Sequence, residues 1–235
     1  ALASAFVLSI FCAGTMWSAS SPHQFSTILT ESAPMAEFRL QALSPFAGLL
    51  KPGRYGAHLN PAGVTLRERA GLALFVISVG AGKASEAAAK VVAVTGLELP
   101  MEPKRVSKDG FALIGTAPGQ WLAVIEGNAA LGILAKLAAG LKGLATIIDQ
   151  SDGKALLRSS GPRARDTLAK GCSLDLHPRA FKTGSASTTP VALIDCVIWQ
   201  VDETPTYDLA IPTSFAESFC SWLTASAAEY GYTVA

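Results

Sequence analysis

Pro118–Ile125, PGQWLAVI, and Pro205–Pro212, PTYDLAIP, match at an offset of 87 positions (205 minus 118), which sets Leu122 on Leu209, Ala123 on Ala210 and Val124 on Ile211. Each segment opens on a proline, reads as a short apolar strand and leads into a helix. Two unrelated hairpin–helix pieces would also give three apolar matches. What favours a duplication is the shared order of strand, helix, hairpin and helix around them, which predicts two βαββαβ-like, ferredoxin-like units. The expected fold class is therefore α+β, with antiparallel or mixed sheets carrying helices on one face. The units are expected at residues 35–150 and 151–235.

Working outward, LALFVISV at Leu72–Val79 is a continuous apolar run of strand length. Gly80-Ala81-Gly82 follows, then an alanine-rich helix over Lys83–Thr95 with Glu86 four residues before Lys90 and Gly96 as its stop. Leu97–Gly110, rich in proline and charge, reads as a surface connection. Phe111–Ala117 and Gln120–Ile125 flank the turn pair Pro118-Gly119 as a hairpin. A second helix is expected from Asn128, its apolar face marked by Leu131, Leu134, Leu137 and Leu141, with Ala145–Ile148 as the returning strand.

In the second half a strand is expected at Ala155–Arg158, and Gly161-Pro162 then opens a helix that stops before Gly171. An irregular stretch runs over Cys172–Ser187, and strand patterns follow at Thr189–Ile194, Cys196–Val201 and Tyr207–Ile211. The last helix is expected from Ser214, with Glu217 completing a capping box. Its stripe is Phe215, Phe219, Trp222, Ser226 and Tyr230, ending at Gly231.

Of the 235 residues, 50% are apolar and 16% charged, enough to bury a sizeable core. The net charge of +1, spread without runs, offers no footprint for nucleic acid or an anionic membrane. The most apolar stretch, Ala5–Trp17, is shorter than the roughly 20 residues that cross a bilayer. Residues 1–10 carry no Lys or Arg, so a secretory n-region is missing. Residues 1–34 read as an extraneous or disordered extension ahead of a natural start at Met35, a degenerate targeting peptide being the other reading. Cys12, Cys172, Cys196 and Cys220 lie far apart and form no C-x-x-C pair. They are expected as buried reduced thiols of a cytoplasmic protein, although widely spaced cysteines also pair in secreted ones.

No constellation for chemistry stands out, and no residue is assigned as catalytic, cofactor-binding or metal-ligating. Of the histidines, His23 lies in the extension, neither His58 nor His177 sits in a recognisable catalytic motif, and the neighbours of His177 supply no nucleophile. GAGKAS at Gly80–Ser85 fits neither the P-loop nor the dinucleotide spacing and reads as a strand-to-helix turn. Asp149 and Asp152 flank a turn, where Asp normally bonds its own backbone. Trp121, Trp199 and Trp222 have faces suited to a planar ligand such as a pterin, but core or interface packing is the favoured role.

Four separated segments carry a family resemblance. AGVTLRERAGLAL (Ala62–Leu74), APGQWLAV (Ala117–Val124), DQSDGKALLRSSGPRARDTLAKGCSLDLHPRAF (Asp149–Phe181) and YDLAIPTSFAESFCSWL (Tyr207–Leu223) resemble, in family order, the gamma subunit of bacterial heterotetrameric sarcosine oxidase. Thr213 departs from the pattern, where an Arg is expected before the helix cap. The resemblance implies a non-catalytic subunit of an oxidoreductase that demethylates sarcosine to glycine, yields peroxide and passes a one-carbon unit to tetrahydrofolate. It implies alpha, beta and delta partner subunits that hold FAD, FMN, NAD and the folate, with no cofactor in this chain. It also implies a fold similar to part of the aminomethyltransferase T-protein. The other classes are a stand-alone folate-binding, aminomethyltransferase-like enzyme, which needs a carboxylate near a pterin pocket, and a secreted binding protein. The irregular stretch Cys172–Ser187 is the expected partner surface, with Leu174, Leu176, His177 and Phe181 as interface residues, because long aperiodic loops with large apolar side chains need cover.

Overall fold

In the computed structural model, which describes residues 43–58, 60–127 and 129–235, the duplicated order of elements is present. The expectations for residues 1–34, Met35, Cys12, His23, the helix start at Asn128 and the side chain of Leu131 lie outside what is described. Two strands, β1 (Gly53–Tyr55) and β2 (Val64–Glu68), come first. The first unit then runs β3 (Leu72–Val79), α1 (Ala84–Thr95), β4 (Arg105–Lys108), β5 (Phe111–Ala117), β6 (Gln120–Glu126), α2 (Ala129–Gly140) and β7 (Ala145–Asp149). The second runs β8 (Lys154–Ser160), α3 (Ala164–Ala169), β9 (Ala186–Val191), β10 (Ile194–Asp202), β11 (Thr206–Pro212), α4 (Ala216–Ala227) and β12 (Tyr232–Val234).

The first unit forms a sheet in the order β4-β5-β6-β3-β7, antiparallel throughout. The second sheet, β1-β12-β2-β8-β11-β10-β9, repeats that arrangement: β9 is the edge counterpart of β4, and β8, β10 and β11 stand where β3, β5 and β6 stand. One strand breaks the symmetry. β2 inserts between β8 and β12 and runs parallel to β12, so this sheet is mixed. Because β1 and β2 precede the first unit in sequence yet pair in the second sheet, the crossing of the chain itself ties the two sheets together.

Alternation along the strands produces four layers. Phe75, Ile77, Leu113, Trp121 and Ile125 bury one face of the first sheet against Ala87 and Val91 of α1 and Leu137 of α2. The opposite face, with Leu74, Ile114, Leu122 and Val124, meets Leu156, Val197, Trp199 and Ala210 of the second sheet. Leu157, Ile198, Leu209 and Ile211 then face Leu168, Phe219 and Leu223 of α3 and α4. Each sheet thus carries its helices on one face. The same alternation corrects the offset of 87: Leu122 faces the other sheet, whereas Leu209 faces the helices. The elements correspond but that register slips by one residue, which in a strand exchanges the two faces.

Local chemistry explains most boundaries. Gly96 closes α1 in the left-handed conformation at φ 67°, its N–H donating to the Val92 carbonyl. GAGKAS is a turn locked by Lys83, whose Nζ donates to the Gly143 carbonyl at 2.7 Å. Two expectations fail. No side-chain cap opens α4; a single 3-10 turn over Thr213–Phe215 precedes it, and Thr213 donates through Oγ1 to the Asp152 carbonyl at 2.8 Å. The helix start is therefore anchored to the turn before β8 instead of closing on itself through Ser214 and Glu217. The strand expected at Thr189–Ile194 is split by a two-residue turn at Ala192 and Leu193, with φ of 51° and 65°. Burial of Val191 and Ile194 on either side outweighs the unfavourable turn residues.

Gly161 gives a direct test of this framework. Its φ is 112°, and a Cβ there would lie 2.7 Å from the Gly63 carbonyl oxygen, which also accepts from the Arg163 N–H at 3.0 Å. The clash is with backbone, so it is not relieved by a rotamer change. Gly161→Ala is expected to lower stability by about 1–3 kcal/mol in urea unfolding. A loss under about 0.5 kcal/mol, the usual size of a neutral surface change, would mean this turn is not built as described.

Candidate functional site

Of the expected interface residues, Leu176 and Phe181 are buried in the chain's own core, and Leu174 is half-buried against it. Phe181 stacks on Tyr207 with ring centroids 6.3 Å apart. His177 stays exposed on a turn: its N–H donates to Asp175 Oδ1 at 2.9 Å, and its Nδ1 accepts from the Arg179 N–H at 3.2 Å. The expected irregular stretch is thus an ordered loop over Cys172–Ser185, Ala186 and Ser187 belonging instead to β9; buried Cys172, Leu176 and Phe181 hold it from beneath, and His177, Pro178, Arg179 and Ala180 face outward.

Trp121 and Trp199 are buried and Trp222 is half-buried, which places them as packing groups. Trp121 donates from Nε1 to the Pro100 carbonyl at 2.8 Å, and its edge helps line an apolar hollow of about 320 Å³ between residues 100–103 and the Gly115–Gly119 turn. Cys172, Cys196 and Cys220 are buried and free. Burial pushes the Cys196 thiol up to about 12, so it carries no useful thiolate. Asp149 accepts from the Ser151 N–H at 2.8 Å, the self-contained turn that its sequence context suggests. Among the described residues no three His, Cys, Asp or Glu side chains cluster as a metal site, and no helix is long and apolar enough to cross a membrane.

The densest chemistry lies between the sheets. Strand register places Arg158, Asp208 and Trp199 side by side across β8, β11 and β10, and Trp199 lines the space between the sheets. Asp208, whose side chain is 3% exposed, accepts from Arg158 Nε at 2.6 Å and Nη2 at 2.8 Å, and from Arg69 Nη1 at 2.9 Å. Arg69 also pairs with Glu126 at the end of β6, so one guanidinium joins the two sheets. The hydrogen bonds it donates to Asp208 hold the Arg158 guanidinium above its ordinary pKa. Beside this cluster opens a cleft of about 270 Å³, lined by Arg69, Arg105, Phe111, Glu126, Trp199 and Asp208 among others. Sequence reading finds none of this, since Arg69 and Asp208 are 139 residues apart and Arg158 and Asp208 are 50 apart.

Comparison with known proteins bears on what this architecture serves. Residues 80–229 match the model of the sarcosine oxidase, gamma subunit family. The chain is 32% identical over 168 residues to sarcosine oxidase subunit gamma of an Arthrobacter species, covering 71% of this chain and 81% of that protein. It is 33% identical over 168 residues to the subunit of the same name from Corynebacterium sp. strain P-1, with the same coverage. Among solved structures it is similar to a chain of heterotetrameric sarcosine oxidase from Corynebacterium sp. U-96 in complex with pyrrole 2-carboxylate. That match has a TM-score of 0.71 and 30% identity, covering 80% of this chain and 96% of that one. A second likeness, to the glycine cleavage system aminomethyltransferase T of Bartonella henselae, has a TM-score of 0.54 at 16% identity, over 74% of this chain and 48% of that one. It is a likeness of fold alone.

Proposed function

The chain belongs to the sarcosine oxidase gamma subunit family, and on that premise we infer that it is the gamma subunit of a heterotetrameric sarcosine oxidase. It assembles with alpha, beta and delta subunits and supports oxidative demethylation of sarcosine to glycine, the one-carbon unit passing to tetrahydrofolate. FAD, FMN, NAD and the folate are held by the partners. The single observation that carries this reading is the match to a chain of the Corynebacterium complex, which spans 96% of that chain. The exposed rim of the loop Cys172–Ser185, with His177 and the uncovered part of Leu174, is the proposed partner surface, and Leu176 and Phe181 hold it in place. Three buried free thiols favour a reducing compartment, the cytoplasm.

Co-expression with the three partner genes tests the assignment. The chain should copurify in one flavin-containing complex that oxidises sarcosine, and alone it should be colourless and inactive. A stoichiometric flavin absorbance in the lone chain, or no retention by the partners, would count against the subunit role and return the stand-alone folate-binding reading to favour.

A further inference from the structure

We propose that the cleft between the two sheets binds a small organic carboxylate, with the Arg105 guanidinium as its counter-ion and the Trp199 indole N–H as a second donor. This goes beyond the subunit role and does not rest on it. Within the cluster, two guanidiniums, Arg69 and Arg158, are matched by two carboxylates, Asp208 and Glu126. Arg105 is the surplus. Pairing of β4 with β5 sets Arg105 opposite Ile114, whose side chain faces the second sheet. Arg105 is half-buried and lines the cleft, and among the described residues its guanidinium makes no hydrogen bond or ion pair. Burial lowers its pKa, and the nearby Arg158 and Arg69 charges lower it further against the opposing pull of Asp208. A cation placed this way is costly unless an anion joins it.

A second, independent orphan belongs to a residue that lines the same cleft. Trp199 is 1% exposed, and its Nε1 has no hydrogen-bond partner. Buried donors without partners are rare in native proteins and mark a missing water, ion or ligand. A planar guanidinium fork and one neutral N–H, on two residues that line one cleft, suit a monovalent planar carboxylate. The carboxylates of Asp208 and Glu126 close by disfavour a dianion such as phosphate. Ala112, Val124 and the Trp199 ring supply the apolar part of a lining that is otherwise polar and charged, so the ligand carries its carboxylate on a body small enough to rest against those three side chains.

The test follows the indole N–H resonance of Trp199 in the 15N-labelled full chain during titration with benzoate, with neutral benzamide and with inorganic phosphate. Benzoate should produce a saturable shift that neither of the others reproduces. Arg105→Gln should weaken benzoate binding by at least about tenfold, the loss expected for a charge-assisted contact. It should leave the melting temperature unchanged or raise it, since an unpaired half-buried cation is removed. If that variant does not fold, Arg105→Lys, which keeps the charge without the fork, should bind more weakly than the native chain. No saturable benzoate shift, an equal response to benzamide, tighter binding of phosphate, or undiminished binding in the Arg105 variants would each overturn the assignment.

Discussion

Asp208→Asn should lower the stability of the chain by about 3 kcal/mol, the lower end of the range for removing one partner of a buried ion pair. Asn keeps the size and some hydrogen bonding of Asp but removes the charge that two guanidiniums share. Arg69 and Arg158 would then face each other across a neutral amide, 15% and 29% exposed along their side chains and unable to hydrate fully. That residual exposure is why the lower end applies. The loss should appear as a lower urea midpoint with an unchanged m-value. Replacing Asp208 and both its guanidinium partners with apolar residues, Arg69→Met and Arg158→Met with Asp208→Leu, should recover most of it, because the desolvation of these three charges is then avoided and the half-exposed Glu126 is left to water. A drop below about 1 kcal/mol for Asp208→Asn would place the cluster with exposed ion pairs and not with buried charges between the sheets.

What the sequence made legible follows from the range of each interaction. β3, α1, the β5–β6 hairpin and β8 are local: an apolar run, a glycine stop and a Pro-Gly turn specify them within a few residues. β1, β2 and β12 escape because they are short or half-polar and exist through pairing with one another. β4 hides in the charged connection after α1 for the same reason: RVSK becomes a strand only against β5. The match of PGQWLAVI with PTYDLAIP identifies the duplicated strand correctly yet misses its facing, since apolar residues on both faces of a buried strand leave no alternation to fix the register. The charged cleft is the extreme case. Each of its ion pairs spans at least 50 positions, and nothing in the local pattern around Arg69, Arg158 or Asp208 distinguishes a buried charge from a solvated one.

Phe181→Ala should reduce the stability of the isolated chain by roughly 3–5 kcal/mol, as truncation of a buried aromatic does. The ring is 4% exposed without any partner present, sits in the cluster that contains Leu176, Leu209 and Phe219, and stacks on the fully buried Tyr207. Removing it leaves a void beneath the loop Cys172–Ser185, whose other buried apolar side chains are Cys172 and Leu176. A partner surface formed by this loop then depends on Phe181 indirectly, through the position of the backbone rather than through contact. His177 supplies the contrast. Exposed and bonded only to its own turn, it can change to Ala with little effect on melting, while assembly weakens by more than about 1 kcal/mol if the rim meets a partner. Measuring urea unfolding and complex formation on both variants separates the two roles. Unchanged melting for Phe181→Ala with lost assembly would move the ring itself into the interface, and unchanged assembly for His177→Ala would remove the rim from it.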